Sequence, residues 1–163
     1  MHINMLSIEI SIAKQTLLLK ESNGVVRTQY RISTAANGIG CEKNSGCTPI
    51  GNHIIRAKIG ADAPLNAVFV GRRLTGELCT TDLMEKFPER DWILTRILWL
   101  SGTEIGKNRL GNVDSMQRYI YIHGTPDNQP MGEPRSHGCV RMRNVDVVEL
   151  FNLVEVGAQV VIR

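Results

Sequence analysis

Short runs of alternating apolar and polar residues, separated by turn signals, fill the first third of this chain and leave little room for helices. Ile8-Glu9-Ile10-Ser11-Ile12 alternates with a period of two, the pattern of a strand with one buried face. Residues 15–20 and 25–33 are two more strand candidates, and Ser22-Asn23-Gly24 between them has the chemistry of a tight hairpin turn. A loop rich in Gly, Asn and Ser runs from Ala35 to Gly46, and Thr48-Pro49-Ile50-Gly51 then turns into a strand over 53–58. Residues 68–70, 92–100 and 119–123 also read as strands, the last with Tyr119, Tyr121 and His123 on one face. One or two helical turns over 82–87 are capped by Thr81 or Asp82 and stopped by Pro88. Near the end, Asp146 and Glu149 have capping-box spacing, and Val147, Val148, Leu150, Phe151 and Val154 form one apolar helical stripe. Gly157 ends that helix and residues 159–162 close as a strand. The fold class predicted is mainly β, with one or two short helices.

The length of 163 residues fits one domain, 1–163. Hydrophobic residues at 42% and charged residues at 21% exclude a disordered chain. A net charge of +3 and 5% aromatics give no basic stripe and no stacking platform, so no nucleic-acid partner is expected. No run approaches the roughly 18 apolar residues of a membrane span. The start of the chain has no basic segment followed by an apolar one, so the expected compartment is cytoplasmic, or periplasmic if an export signal was removed. Cys41, Cys47, Cys79 and Cys139 are then expected as free thiols, and Cys41-x5-Cys47 lacks the tight spacing of a zinc knuckle.

The chemistry concentrates between His123 and Met142. His123 ends a strand, a loop with Pro126, Pro130 and Pro134 follows, and Ser136-His137-Gly138-Cys139-Val140-Arg141 closes it. A cysteine attacks a carbonyl as thiolate and needs a base and a positive environment to become one. His123 or His137 can be that base, and Arg135, Arg141 and Arg143 lie within four residues of Cys139. Gly138 allows close backbone approach, and the amides of Gly138 and Cys139 can face a developing oxyanion. Three other readings of these residues stand beside catalysis. Cys139 can be inert core, the arginines can be a solvated face, or His123, His137 and Cys139, with His53, can hold a metal ion.

The run Ser136-His137-Gly138-Cys139-Val140-Arg141, with Ile122-His123-Gly124-Thr125 upstream, resembles the signature of the L,D-transpeptidase (YkuD-type) catalytic domain. The order of early strands, Thr48-Pro49-Ile50-Gly51, final helix and final strand resembles that domain over nearly the whole chain. The resemblance implies a single β-sandwich or barrel domain, with Cys139 as nucleophile and His123 as general base. It implies that the backbone carbonyl of Gly124 orients the imidazole, and that His137 lines the site and supports substrate or oxyanion. Arg141, Ser136, Arg118 and Arg135 are the substrate-binding candidates, and no metal or cofactor is expected. The implied partner is a peptidoglycan stem peptide or muropeptide, and the implied drug sensitivity is acylation by carbapenems. The expected reaction is that of a cytoplasmic L,D-carboxypeptidase removing terminal D-alanine from tetrapeptide muropeptides during recycling. The alternatives are an L,D-transpeptidase that cross-links stems in the wall and a non-catalytic muropeptide-binding module. The short loop after His123 implies a small lid and an open cleft.

Overall fold

The computed structural model describes residues 5–163. Its strands are β1 (Ser7–Ser11), β2 (Thr16–Lys20), β3 (Val26–Ser33), β4 (Gly51–Ile59), β5 (Ala67–Val70), β6 (Arg73–Leu78), β7 (Ile93–Gly102), β8 (Tyr121–Thr125), β9 (Val140–Arg143) and β10 (Gln159–Ile162). The helices are α1 (Thr81–Lys86) and α2 (Asn144–Leu153), and one 3-10 turn spans Gly111–Val113. Hydrogen-bonded neighbours run β4-β10-β1-β2-β3-β9-β8-β7-β5-β6, and a further pairing of β4 with β7 closes the run from β4 to β7 into a ring. The architecture is therefore mainly β with two helices, as the alternation predicts, and barrel-like, as the resemblance implies.

The ring closes because each strand offers one apolar face to the inside. Ile8 and Ile10, Leu17 and Leu19, Leu98 and Leu100, and Val160 and Ile162 are all buried in one core. Burying one such side chain contributes roughly 1.5–3 kcal/mol. Helix α2 adds Val147, Leu150 and Phe151 to the same core. Outside the ring, β5 pairs with β7 and with β6. There Ala63, Ala67, Phe69, Ile97 and Tyr121 make a second, smaller core, and Cys139 packs against it.

One irregularity positions the site. Between β7 and β8, Leu94 pairs with Gly124 but Ile97 pairs with His123, so Thr95 and Arg96 bulge out of the ladder. Thr95 has φ +73°. That left-handed conformation is an outlier for a β-branched residue and stores on the order of 1–3 kcal/mol. Bulges of this kind re-aim side chains beside active sites.

Several local expectations are corrected. Tyr119 lies outside β8, at φ +58° in a turn, so the predicted strand face keeps only Tyr121 and His123. Helix α2 begins at Asn144 with Arg143 at the cap, which places Asp146 inside the first turn, where its charge meets the positive end of the helix dipole. That helix ends at Leu153, before Gly157. Thr80 caps α1, accepting from the Leu83 N–H at 3.2 Å. Strands β6 and β9 lie outside the predicted segments: β6 has Gly76 at its centre in place of clean alternation, and β9 is only four residues long.

Candidate active site

Strands β8 and β9 run parallel, with Ile122 opposite Val140 and His123 opposite Arg141. Side chains alternate across a sheet, so Ile122 and Val140 enter the main core. Tyr121, His123 and Arg141 take the other face, together with Cys139 just ahead of β9. Tyr121 N–H points at Cys139 Sγ at 3.3 Å, and the thiol donates to the Tyr119 carbonyl at 3.3 Å. His123 thus sits one diagonal step from the sulfur across the parallel pair. Burial pushes the Cys139 thiol up to about 12, against the pull of Tyr121 N–H and of the Arg141 and Arg118 charges. At neutral pH the group is a thiol that needs a base.

His123 is buried, and its Nδ1 lies 2.6 Å from the Gly124 carbonyl. A carbonyl can only accept, so Nδ1 carries the hydrogen and Nε2 of the neutral ring keeps a lone pair. Burial pulls the His123 pKa below its ordinary value, the Gly124 carbonyl and Asp91 oppose this, and Arg141 adds to it. The ring is neutral at pH 7, the form that can take a proton from a thiol.

The turn ahead of the sulfur is braced from inside. Ser136 Oγ donates to the Cys139 carbonyl at 2.5 Å and accepts from Gly138 N–H at 3.2 Å. Thr48 Oγ1 donates to the Gly138 carbonyl at 2.9 Å. Two expectations change here. The buried Ser136 hydroxyl is committed to the turn rather than facing substrate, and the Gly138 amide is engaged, which leaves the Cys139 amide as the better oxyanion donor. Gly138 sits at φ +134°, where a side chain would be strained.

The other candidates divide around His137, whose side chain is 75% exposed. On one side His137, Cys139, Arg118 and Tyr119 line a cleft of about 430 Å³. On the other, His137, Arg135, Arg141 and Arg90 line a second cleft of about 480 Å³. Arg118 is tied to the 40–47 loop, donating to the Gly40 carbonyl at 3.2 Å and the Cys47 carbonyl at 2.7 Å. It therefore supplies charge near the sulfur while its guanidinium holds the loop. Arg135 pairs with Glu133 at 2.8 Å on the surface. Arg141 is buried and pairs with Asp91 at 3.2 Å, while its Nε has no hydrogen-bond partner among the described residues. His53 lies apart, its Nδ1 donating to the Gly51 carbonyl at 3.0 Å and its Nε2 accepting from Ser115 Oγ at 2.8 Å.

Sequence reasoning missed Asp91, which faces both Arg141 and, at 3.6 Å, His137 Nδ1. It also missed Asn144 and Thr95, which pack against Gly124. Asp91 and Thr95 come from the segment around the start of β7, far along the chain from Cys139, while Asn144 follows β9 directly and its inward turn is set by the fold.

Comparison with known proteins bears on the fold and the family. The structure of L,D-transpeptidase 3 from Mycobacterium tuberculosis superposes with a TM-score of 0.59 at 16% identity, covering 98% of this chain and 61% of that one. The same enzyme bearing a faropenem-derived adduct gives a TM-score of 0.58 at 17% identity, over 98% of this chain and 60% of that one. At such identities the likeness is one of fold. In sequence, the protein named "Probable L,D-transpeptidase YbiS" from Escherichia coli strain K12 is 51% identical over 43 residues, 26% of this chain and 14% of that protein. The matches thus span only part of the relatives' own lengths. A family model for the L,D-transpeptidase catalytic domain matches residues 6–162. With that match running through every strand of the ring and through both His123 and Cys139, this chain belongs to the L,D-transpeptidase catalytic domain family.

Proposed function

We propose that this protein performs cysteine acyl-transfer on peptidoglycan stem peptides and that water is its main acceptor, which makes it an L,D-carboxypeptidase. The observation that carries the chemistry is the 2.6 Å contact of His123 Nδ1 with the Gly124 carbonyl, which leaves Nε2 free on the face that holds the sulfur. Nε2 takes the Cys139 proton, and the sulfur attacks the carbonyl of the third stem residue. The Cys139 amide, near the Arg118 charge, holds the oxyanion. A preorganised donor of this kind is worth about 3–4 kcal/mol in the transition state. The imidazolium then protonates the departing nitrogen of D-alanine, the carbon–nitrogen bond breaks and a thioester remains. Water, deprotonated by the same Nε2, releases the tripeptide.

The two clefts that meet at His137 suit the two sides of one scissile bond. The stem lies along the cleft beside Cys139, and the leaving D-alanine points its carboxylate toward Arg141 and Arg135. Arg suits a carboxylate because its planar fork donates two parallel hydrogen bonds. Hydrolysis needs no polymerised wall as acceptor, so we place the reaction on free muropeptides in the cytoplasm. The second reading is L,D-transpeptidation. It draws on the same second cleft, which an acceptor amine can enter once D-alanine has left.

Incubation with a purified tetrapeptide muropeptide, followed by mass spectrometry, tests the proposal. Loss of one alanine without dimers, abolished in Cys139→Ala, is expected. Dimers as the main product would transfer the assignment to the second reading, and binding without turnover would point to a muropeptide-binding module. Cell fractionation tests the compartment, with recovery in the periplasm as the contrary result.

A further inference from the structure

Gly124 backs onto a buried polar cluster that the chemistry above does not use. A Cβ at Gly124 would collide with Asn144 Oδ1 and come within 2.6 Å of the Leu94 carbonyl. Asn144, the first residue of α2, is 2% exposed. Its Oδ1 accepts from Thr95 Oγ1 at 2.6 Å. Its Nδ2 donates to the Thr125 carbonyl at 2.9 Å, to Asn66 Oδ1 at 3.0 Å and to Asp127 Oδ1 at 3.1 Å. Thr95 Oγ1 accepts in turn from Asn66 N–H at 3.0 Å. One side-chain amide therefore ties together the β7 bulge, the turn before β5, the end of β8 and the start of the 126–139 loop.

The chemistry of the cluster asks for asparagine. Thr95 Oγ1 and the Thr125 carbonyl need an acceptor and a donor from the same side chain, and only a carboxamide of this length supplies both. Aspartate cannot donate, and alanine would leave both groups buried without partners. The cluster also holds Thr95 at φ +73°, a conformation its own backbone disfavours. Its link to the site is the Gly124–Thr125 segment, whose first carbonyl receives His123 Nδ1–H.

We propose that Asn144 is a positioning residue: by clamping Gly124 and Thr125 against the β7 bulge, it aims the carbonyl that keeps the His123 proton on Nδ1 and Nε2 free. The proposal rests on the reading of His123 as general base, and it acts through backbone, with no contact to substrate.

The test reads the tautomer directly. Full-length protein with ¹⁵N-labelled histidine is examined by two-bond ¹H–¹⁵N correlation at pH 7.5, in wild type, Asn144→Asp, Asn144→Ala, Thr95→Val and Thr95→Ser. Wild type is expected to show His123 with a protonated Nδ1 and a bare Nε2. Asn144→Asp, Asn144→Ala and Thr95→Val are expected to populate the Nε2–H form. In the same variants, acylation of Cys139 by imipenem, followed by intact mass, slows at least tenfold. Thr95→Ser, which keeps the hydroxyl, recovers the Nδ1–H form. The acid limb of the acylation rate moves to lower pH in Asn144→Ala and Thr95→Val, which add no charge, because His123 loses the carbonyl that raises its pKa. A purely structural role would lower thermal stability and leave tautomer and pH profile in place. Folded variants with an unchanged His123 spectrum and acylation within twofold of wild type would overturn the proposal. If Asn144→Ala does not fold, Thr95→Val decides, since it removes one hydroxyl and keeps the volume. If wild type neither cleaves stem peptides nor reacts with imipenem while the tautomer still shifts in the variants, the positioning role stands and the proposed reaction falls.

Discussion

Gly124 follows the base and Gly138 precedes the sulfur, and each is glycine for its own reason. At 138 the backbone is left-handed, and at 124 the space is taken by Asn144. Next to Gly138 the sulfur of Cys139 is held as a thiol, with burial pushing it up to about 12. Iodoacetamide labelling of Cys139, followed by peptide mass spectrometry, should therefore be slow at pH 7 and climb about tenfold per pH unit through pH 9. A plateau below pH 8 would mean a stabilised thiolate and no need for His123. At this scale a short motif marks Cys139, His123 and Gly124 as candidates, and the fold brings them together across the β8–β9 pair. The role of Ser136 was not legible, because only the fold reveals that its hydroxyl turns inward to the Cys139 carbonyl. Asp91 is hidden because it reaches the site from a separate segment, and Asn144 because only the fold turns its side chain from the helix start toward Thr95 and Thr125.

At the scale of elements, the parallel contact of β8 with β9 and the bulge of β7 position the chemistry, and α2 presses all three strands from the core side. Leu150 of α2 is fully buried in that core. Leu150→Ala should lower unfolding free energy by about 2–5 kcal/mol in urea titrations. A loss below about 1 kcal/mol would mean that α2 adds little to the barrel. Strands with one buried face were legible from period-two alternation, as in Ile8-Glu9-Ile10. Strand β6 was not: Arg73, Thr75 and Glu77 lie along it with Gly76 at its centre, and it pairs outside the ring. Asp146 and Glu149 imitate a capping box and so point to a later start of α2, whereas Asn144 opens the helix and spends its side chain on the cluster at Gly124.

At the scale of the whole molecule, acid stability follows from two buried imidazoles. Burial holds both His53 and His123 below the ordinary value of 6.5. Both therefore favour the folded state when deprotonated. The unfolded chain takes up protons first as pH falls through about 6.5, so their contribution is full above that value and is lost below it. Glu9, held below its usual 4.5 by Lys20 and then Arg163, acts in the same direction at lower pH. Asp146, raised by burial, acts in the opposite direction within the acid range. The melting temperature should fall between pH 7.5 and pH 5.5, and a flat or rising curve by calorimetry would contradict the assignment of two neutral histidines. The closed ring itself was only partly legible, since alternation marks the strands while the β4–β7 pairing joins segments far apart in the chain.

The chain leaves the sheet after Thr125 and returns at Val140 on the adjacent stave, so base and sulfur are spaced by the ladder and not by the residues that bridge them. What roofs the cleft can change in length or composition at its tip, around 128–130, without retuning the reactive pair beneath. Substrate preference and reactivity are thereby separable traits in this molecule, open to independent drift or to deliberate redesign.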